Sequence, residues 1–179
     1  MFKLFYPYEY VDSVFSIDYT KLYAQGYRAL IFDIDNTLVH HGDDSTSEID
    51  NLFLHLHKTG FKTLLLSNND DERVKRFIKN IDTLYICDAN KPDTTNYLKA
   101  IEILQVKKEE AIFIGDQIFT DILGANRCSI PNILVKFIRL DNNEKIGKRR
   151  HLENIILKFY KHNKSFQHRL NNIQKKEDS

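Results

Sequence analysis

Two aspartates, Asp33 and Asp35, follow directly on the apolar run Ala29–Phe32 and directly precede Asn36-Thr37. Asp is poorly suited to a strand, and in an open α/β sheet the carboxyl ends of the strands are where ligands bind. A buried strand that ends in two carboxylates therefore calls for a chemical reason. The chemistry these residue types suit is phosphoryl transfer with a divalent cation. Three further segments have the same character: Ser67-Asn68-Asn69, Lys91-Pro92, and Gly115-Asp116 followed by Asp121. If all four lie at strand ends, they meet as four acids, one lysine and one hydroxyl. Acids so grouped repel one another unless a cation sits among them. Hard oxygen ligands suit Mg²⁺, which keeps several waters and shares its ligands with a phosphate.

Taken singly, each signal has a plainer explanation. An Asp at a strand end is a common turn or capping residue, a Ser-Asn-Asn stretch caps helices, and a lysine before a proline is ordinarily a surface residue. Asp121 could serve as a first-turn helical acid. Their order along the chain, each after an apolar run, favours the chemical reading.

The elements that would position these residues follow from periodicity and punctuation. The pattern predicts helices over 12–25, 45–58, 70–81, 94–106, 120–127 and 144–162, and strands over 28–34, 61–66, 83–87, 111–114 and 132–138. Gly26 and Gly60 sit where C-terminal glycines end helices, and Ser45 or Ser47 is placed to cap the second helix. Asp70, Asp71 and Glu72 fall where the helix dipole favours acids. Runs such as Phe61–Leu66 read as strands covered on both faces. Strand and helix alternate five times, which predicts an α/β fold with a parallel sheet wrapped by helices. The expected organisation is one domain over 1–162 and a polar, flexible tail over 163–179.

The order Asp33-x-Asp35-x-Thr37, Ser67, Lys91 and Gly115-Asp116 with Asp121 resembles the four motifs of the haloacid dehalogenase (HAD) superfamily. Glu9-Tyr10-Val11-Asp12-Ser13-Val14-Phe15, the residues Phe32 to Val39, Ser67-Asn68-Asn69 and Gly115 to Asp121 are more specific. They are similar to the YqeG-type phosphatases of subclass IIIA, a group akin to mitochondrial phosphatidylglycerophosphate phosphatases. The likeness runs from about Tyr8 to Val135. It implies a HAD-like, Rossmannoid sheet and a Mg²⁺-dependent phosphomonoester hydrolase. It implies Asp33 as the nucleophile that becomes an aspartyl-phosphate, and Asp35 as general acid and then base. Ser67 would bind a phosphoryl oxygen, and Lys91 would offset the charge of phosphate and nucleophile. Asp116, the Asp33 carboxylate and the Asp35 main-chain carbonyl would hold the metal. Asp121 would support the metal or orient Lys91.

Only 31 residues separate Asp35 from Ser67, and 23 separate Ser67 from Lys91. One helix and one strand fill each interval, so no sizeable cap domain is expected. An uncapped site suits a phosphate presented by something large and excludes water weakly. The resemblance names phosphatidylglycerophosphate at a membrane surface as the preferred substrate. A protein or nucleic acid end is the alternative, with nucleic acid not favoured. A reading from another class is a HAD-like RNA-binding or assembly-factor module.

Charge is uneven. Residues 1–135 hold 14 basic and 20 acidic residues, whereas residues 136–179 hold 12 and 5. The basic end, with Lys145, Lys148, Arg149, Arg150 and Lys158, suits an anionic lipid surface or a solvated helix face. The N-terminal aromatics Phe2, Phe5, Tyr6, Tyr8, Tyr10 and Phe15, with Lys3, suit a headgroup interface, although for Phe5 and Phe15 cover of the sheet flank is favoured. Two cysteines, Cys87 and Cys128, are too few for a disulfide framework and fit a reducing compartment. No run approaches a membrane span, and no signal-peptide pattern opens the chain. The expected location is cytoplasmic, with a peripheral position at the inner face of the membrane as the finer reading. His40 and His41 follow the first motif without the further ligands of a metal site.

Overall fold

A computed structural model describes residues 2–138 and 147–175. Among these residues six strands form one parallel sheet: β1 (Glu9–Val11), β2 (Ala29–Phe32), β3 (Lys62–Leu66), β4 (Leu84–Ile86), β5 (Ala111–Gly115) and β6 (Asn132–Val135), in the order β1-β6-β5-β2-β3-β4. Among the described residues six α-helices accompany them: α1 (Tyr19–Ala24), α2 (Ser47–Thr59), α3 (Asp71–Phe77), α4 (Thr94–Leu104), α5 (Leu123–Arg127) and α6 (Lys148–His162).

β2 is central because all four of its residues are apolar and can be covered on both sides. Leu30 and Phe32 pack into one core layer, with Phe53 of α2 and Ile114. Ala29 and Ile31 pack into the other, with Tyr97 of α4 and Phe113. The chain runs outward from β2 through β3 to β4, then crosses to β5 on the opposite side. The order reverses between β2 and β5, and such a switch point opens a crevice beyond the strand ends.

Capping sets the helix bounds. Neither Ser45 nor Ser47 caps α2; the Thr46 hydroxyl accepts from the Ile49 amide, and Gly60 ends the helix at φ 105°. The helix expected over 12–25 is split, because Asp18 accepts from the Lys21 amide and starts α1 afresh after a short turn at Val14–Ser16. Asp70 caps α3, which stops at Phe77 and gives way to a tighter turn, Ile78–Asn80. The part of the expected 144–162 helix before Gly147, Lys145 included, lies outside the described residues.

Two corrections concern the ends of the chain. β1 is a sixth strand not expected from the sequence, paired parallel to β6 with Tyr10 opposite Leu134. The tail expected to be loose from residue 163 is docked through residue 175. Leu170 and Ile173 are buried. The Leu170 amide donates to Glu9 Oε1, the Arg169 amide to the Tyr8 carbonyl, and the Asp18 amide to the Ile173 carbonyl. Two apolar residues three apart sufficed to hold a polar stretch against the sheet edge. Phe5 packs edge-on against Phe119, but Phe15 is exposed rather than covering the sheet flank. Among the described residues no helix is long and apolar enough to cross a membrane.

Candidate active site

The site is assembled at the carboxyl edge of the sheet, where β2 and β5 part. The Asp33 amide still pairs with the Ile114 carbonyl, so the strand geometry carries the first carboxylate to the crevice. The next residues leave the sheet in a tight excursion. Asn36 adopts a left-handed conformation (φ 62°), which Asn tolerates better than most residues, and its amide returns to the Val39 carbonyl. Ile34, Leu38 and Val39 are buried and pin this loop.

Ser67 directly follows β3 and is buried, and its Oγ accepts from the Asn69 amide. After β4, Asp88 and Asn90 both take left-handed conformations (φ 45° and 51°). Non-glycine residues of this kind cluster at functional sites. Here they turn the chain so that Lys91 enters the crevice, where Asn68 Oδ1 accepts from its backbone amide. β5 ends in Gly115-Asp116, and a wide π-helical turn, Ile118–Ile122, carries Asp121 back into the site. A Cβ on Gly115 would lie 2.5 Å from Asp121 Cγ, so a glycine is required there.

Lys91 is the hub. Its Nζ lies 2.5 Å from Asp33 Oδ1 and 2.8 Å from Asp121 Oδ1, and all three side chains are buried. Burial alone would favour the neutral amine, but Asp121 and Asp33 hold the ammonium charged and raise its pKa above the ordinary value. The Thr37 hydroxyl donates to Asp33 Oδ2 or Asp116 Oδ1, which lie 3.3 and 3.2 Å away. Asp116 in turn receives the Arg150 guanidinium on Oδ2 and on its main-chain carbonyl. Burial pushes the Asp33 carboxyl up to about 6, with Asp121 adding to the effect and Lys91 opposing it. Burial likewise raises Asp116 well above the carboxylate range, against the pull of Arg150.

Asp35 is set apart. Its carboxylate faces Asn69 Nδ2 at 2.8 Å, Arg73 Nη2 at 3.0 Å, the Gly42 amide at 3.1 Å and His41 Nδ1 at 3.2 Å. Burial would raise its pKa, but these donors and charges together hold the carboxyl below its ordinary value. Carboxylate oxygens of Asp33, Asp116 and Asp121 all lie within 4.8 Å of one another. Three buried carboxylates thus face two cations, Lys91 and Arg150. This surplus of hard, anionic oxygen donors fits a divalent metal ion. The Asp35 side chain does not join that group.

Ser67, Asp33, Asp35 and Lys91 line one cavity of about 240 Å³, with Asn68, Gln117, Thr120 and Arg149 on its walls. The Thr120 hydroxyl is buried there without a hydrogen-bond partner among the described residues. Of the residues with candidate roles, all six meet at this crevice. Thr37 and Asn69, which the motifs include without a role, join them, as do Arg73 and Arg150, which were not expected there. Arg150, expected on a basic helix that suits an anionic lipid surface or a solvated face, is instead turned inward onto Asp116 and Glu153. His41 reaches Asp35 but is itself exposed.

A cationic hub among acids beside a small polar cavity has the parts for phosphoryl transfer, in which positioning and electrostatics dominate. Comparison with known proteins agrees. The family model for haloacid dehalogenase-like hydrolases matches residues 40–128. The "Probable phosphatase YqeG" of Bacillus subtilis (strain 168) is 36% identical over 134 residues, covering 74% of this chain and 78% of the relative. The chain therefore belongs to the haloacid dehalogenase-like hydrolases, as a phosphatase of the YqeG type.

Two solved structures share the fold. An uncharacterized protein from Listeria monocytogenes serotype 4b aligns with a TM-score of 0.54 at 19% identity, covering 75% of this chain and 99% of its own. The cobalt-bound deoxy-D-mannose-octulosonate 8-phosphate phosphatase of Haemophilus influenzae aligns at 0.50 and 18%, covering 79% and 92%.

Proposed function

We propose that this phosphatase hydrolyses a phosphomonoester through an aspartyl-phosphate on Asp33, with Mg²⁺ as its metal and a large, membrane-presented substrate such as phosphatidylglycerophosphate. The single observation that carries the mechanism is the Lys91 Nζ bridge between Asp33 and Asp121 at the cavity floor.

Asp33, Asp116 and Asp121 would hold the ion, with the Asp35 main-chain carbonyl as a further ligand. When bound, it supplies positive charge for the phosphoryl oxygens and the nucleophile. The chain's own groups do the rest. Lys91 holds one oxygen of Asp33 and leaves the other to attack phosphorus. Ser67 and Thr120 offer hydroxyls to the phosphoryl oxygens. Asp35, whose carboxyl rests below its ordinary value and so must first take up a proton from solvent, would give that proton to the departing oxygen as the ester bond breaks. It then takes a proton from the water that attacks phosphorus, which frees Asp33 and inorganic phosphate. Asn69, Arg73 and the Gly42 amide orient Asp35 for both transfers.

The size of the cavity supports the substrate class. About 240 Å³ accommodates a phosphate and little more, whereas drug-sized ligands occupy roughly 300–1,000 Å³. Between Asp35 and Ser67 lie only α2 and β3 with loop, and between Ser67 and Lys91 only α3, a short turn and β4, so neither interval supplies a cap domain over the rest of the substrate. That remainder stays outside the crevice.

The test is phosphate release from phosphatidylglycerophosphate vesicles, a phosphopeptide and a 3′-phosphorylated oligonucleotide, in Mg²⁺ or EDTA. Release from vesicles by wild type in Mg²⁺, and none by Asp33→Asn, is the expected outcome. Release from the peptide or oligonucleotide alone would overturn the lipid assignment.

A further inference from the structure

Helix α6 has two apolar faces, and the body of the protein uses one. On the inner face Glu153 and Tyr160 are buried, and Ile156 and Leu157 pack with Ile118 and Leu134. On the outer face Leu152, Ile155 and Phe159 are 56%, 49% and 62% exposed. Their spacing of three and four places them in one stripe along the helix. Single exposed apolar residues are ordinary, but a contiguous row marks a surface that meets something.

Among the described residues, the exposed charges of α6 are of one sign. Lys148, Arg149, Lys158 and Lys161 are exposed. The one acid of α6, Glu153, is buried; Oε2 pairs with Arg150 and Oε1 accepts from the Phe119 amide. The helix also starts at the mouth of the catalytic cavity, which Arg149 lines.

We propose that the outer face of α6 docks on an anionic lipid bilayer. The helix lies in the plane of the interface, with Leu152, Ile155 and Phe159 at the acyl boundary and the flanking cations among the headgroup phosphates. An RNA backbone would satisfy the cations but leave the three apolar side chains in water. An anionic bilayer meets both at once. Docking would bring lipid headgroups to the end of α6 that borders the cavity. The inference deepens the lipid-substrate reading and rests on it for what docking accomplishes; the binding itself is measurable without catalysis.

The experiment is co-sedimentation of the full chain with vesicles of phosphatidylcholine, with or without phosphatidylglycerol. Wild type and Asp33→Asn should bind the phosphatidylglycerol vesicles alike, and release as salt screens the surface. The triple change Leu152→Ser, Ile155→Ser, Phe159→Ser should weaken partitioning at least about tenfold. The pair Lys148→Gln, Lys158→Gln should weaken it about thirtyfold. Neither variant should change the melting temperature or the slow turnover of p-nitrophenyl phosphate. Equal vesicle binding by wild type and the triple variant overturns the proposal. So does retention of an RNA oligonucleotide without vesicle binding, or a dimer abolished by the triple change without vesicle binding. If wild type releases phosphate from detergent-dispersed phosphatidylglycerophosphate yet ignores vesicles, docking falls and the substrate assignment stands. If it binds vesicles but hydrolyses no lipid phosphomonoester, the reverse holds.

Discussion

Lys91 sets the charge balance among the residues of the site. Removing one partner of a buried ion pair leaves an uncompensated charge, at a cost of roughly 3–5 kcal/mol. Lys91→Met should therefore lower the melting temperature as well as abolish turnover, which thermal denaturation beside a phosphate assay will show. Arg73 acts through Asp35, whose carboxyl it helps hold below the ordinary value. Without that guanidinium the carboxylate is less favoured, so its pKa rises. In Arg73→Met the basic limb of the rate–pH profile, which reports loss of the proton that Asp35 gives to the leaving oxygen, should move to higher pH, with kcat reduced about tenfold to a hundredfold. An unmoved limb would deny Arg73 that role. Asp33, Ser67 and Asp116 were legible because each closes an apolar run, whereas Lys91 and Asp121 lie further on and were singled out by the motif resemblance. Arg73 was not, since within the sequence it is an ordinary basic residue in a helix begun by Asp70. Only packing of α3 beside the Asp35 loop gives it a partner. Arg150 was obscured by its neighbours Lys148 and Arg149, which share its charge but not its orientation.

The elements were read well where periodicity was long and poorly where contacts between distant segments decide. β2 and β5 are runs of apolar residues and declare themselves, and β3 closes in one, Leu64 to Leu66. β1 is three residues long and begins with Glu9, too short for any alternation; β6 offers it an edge, and tertiary pairing overrides its weak propensity. The docked segment after α6 was hidden for a similar reason, since Leu170 and Ile173 are its anchors in a polar stretch. Leu170→Ala should destabilise the protein by about 2–4 kcal/mol, the range for a buried leucine truncated in a packed core. Chemical denaturation measures this. A change under 0.5 kcal/mol would mean that the segment contributes little to the fold.

At the scale of the molecule, the fold holds like charges together, and a divalent ion relieves them. In chelator, the Asp33 carboxyl titrates near 6 against 3.8 when unperturbed. The folded state thus binds this proton more tightly than the unfolded one, and stability falls as pH rises through that window. Metal binding needs the carboxylate, so the stabilisation by Mg²⁺ should grow over the same window. At about a hundredfold excess over Kd it amounts to about 2.7 kcal/mol. Melting curves from pH 4 to 8, with EDTA or Mg²⁺, should diverge as pH rises for wild type and far less for Asp33→Asn. Parallel curves would remove Asp33 from the metal site.

The most direct test of the whole assignment is acid quench of wild type during turnover of a ³²P-labelled phosphomonoester, with the label mapped to a peptide. Label on the peptide bearing Asp33, absent from Asp33→Asn together with all phosphate release, is the expected result. Phosphate release by Asp33→Asn at the wild-type rate would contradict it.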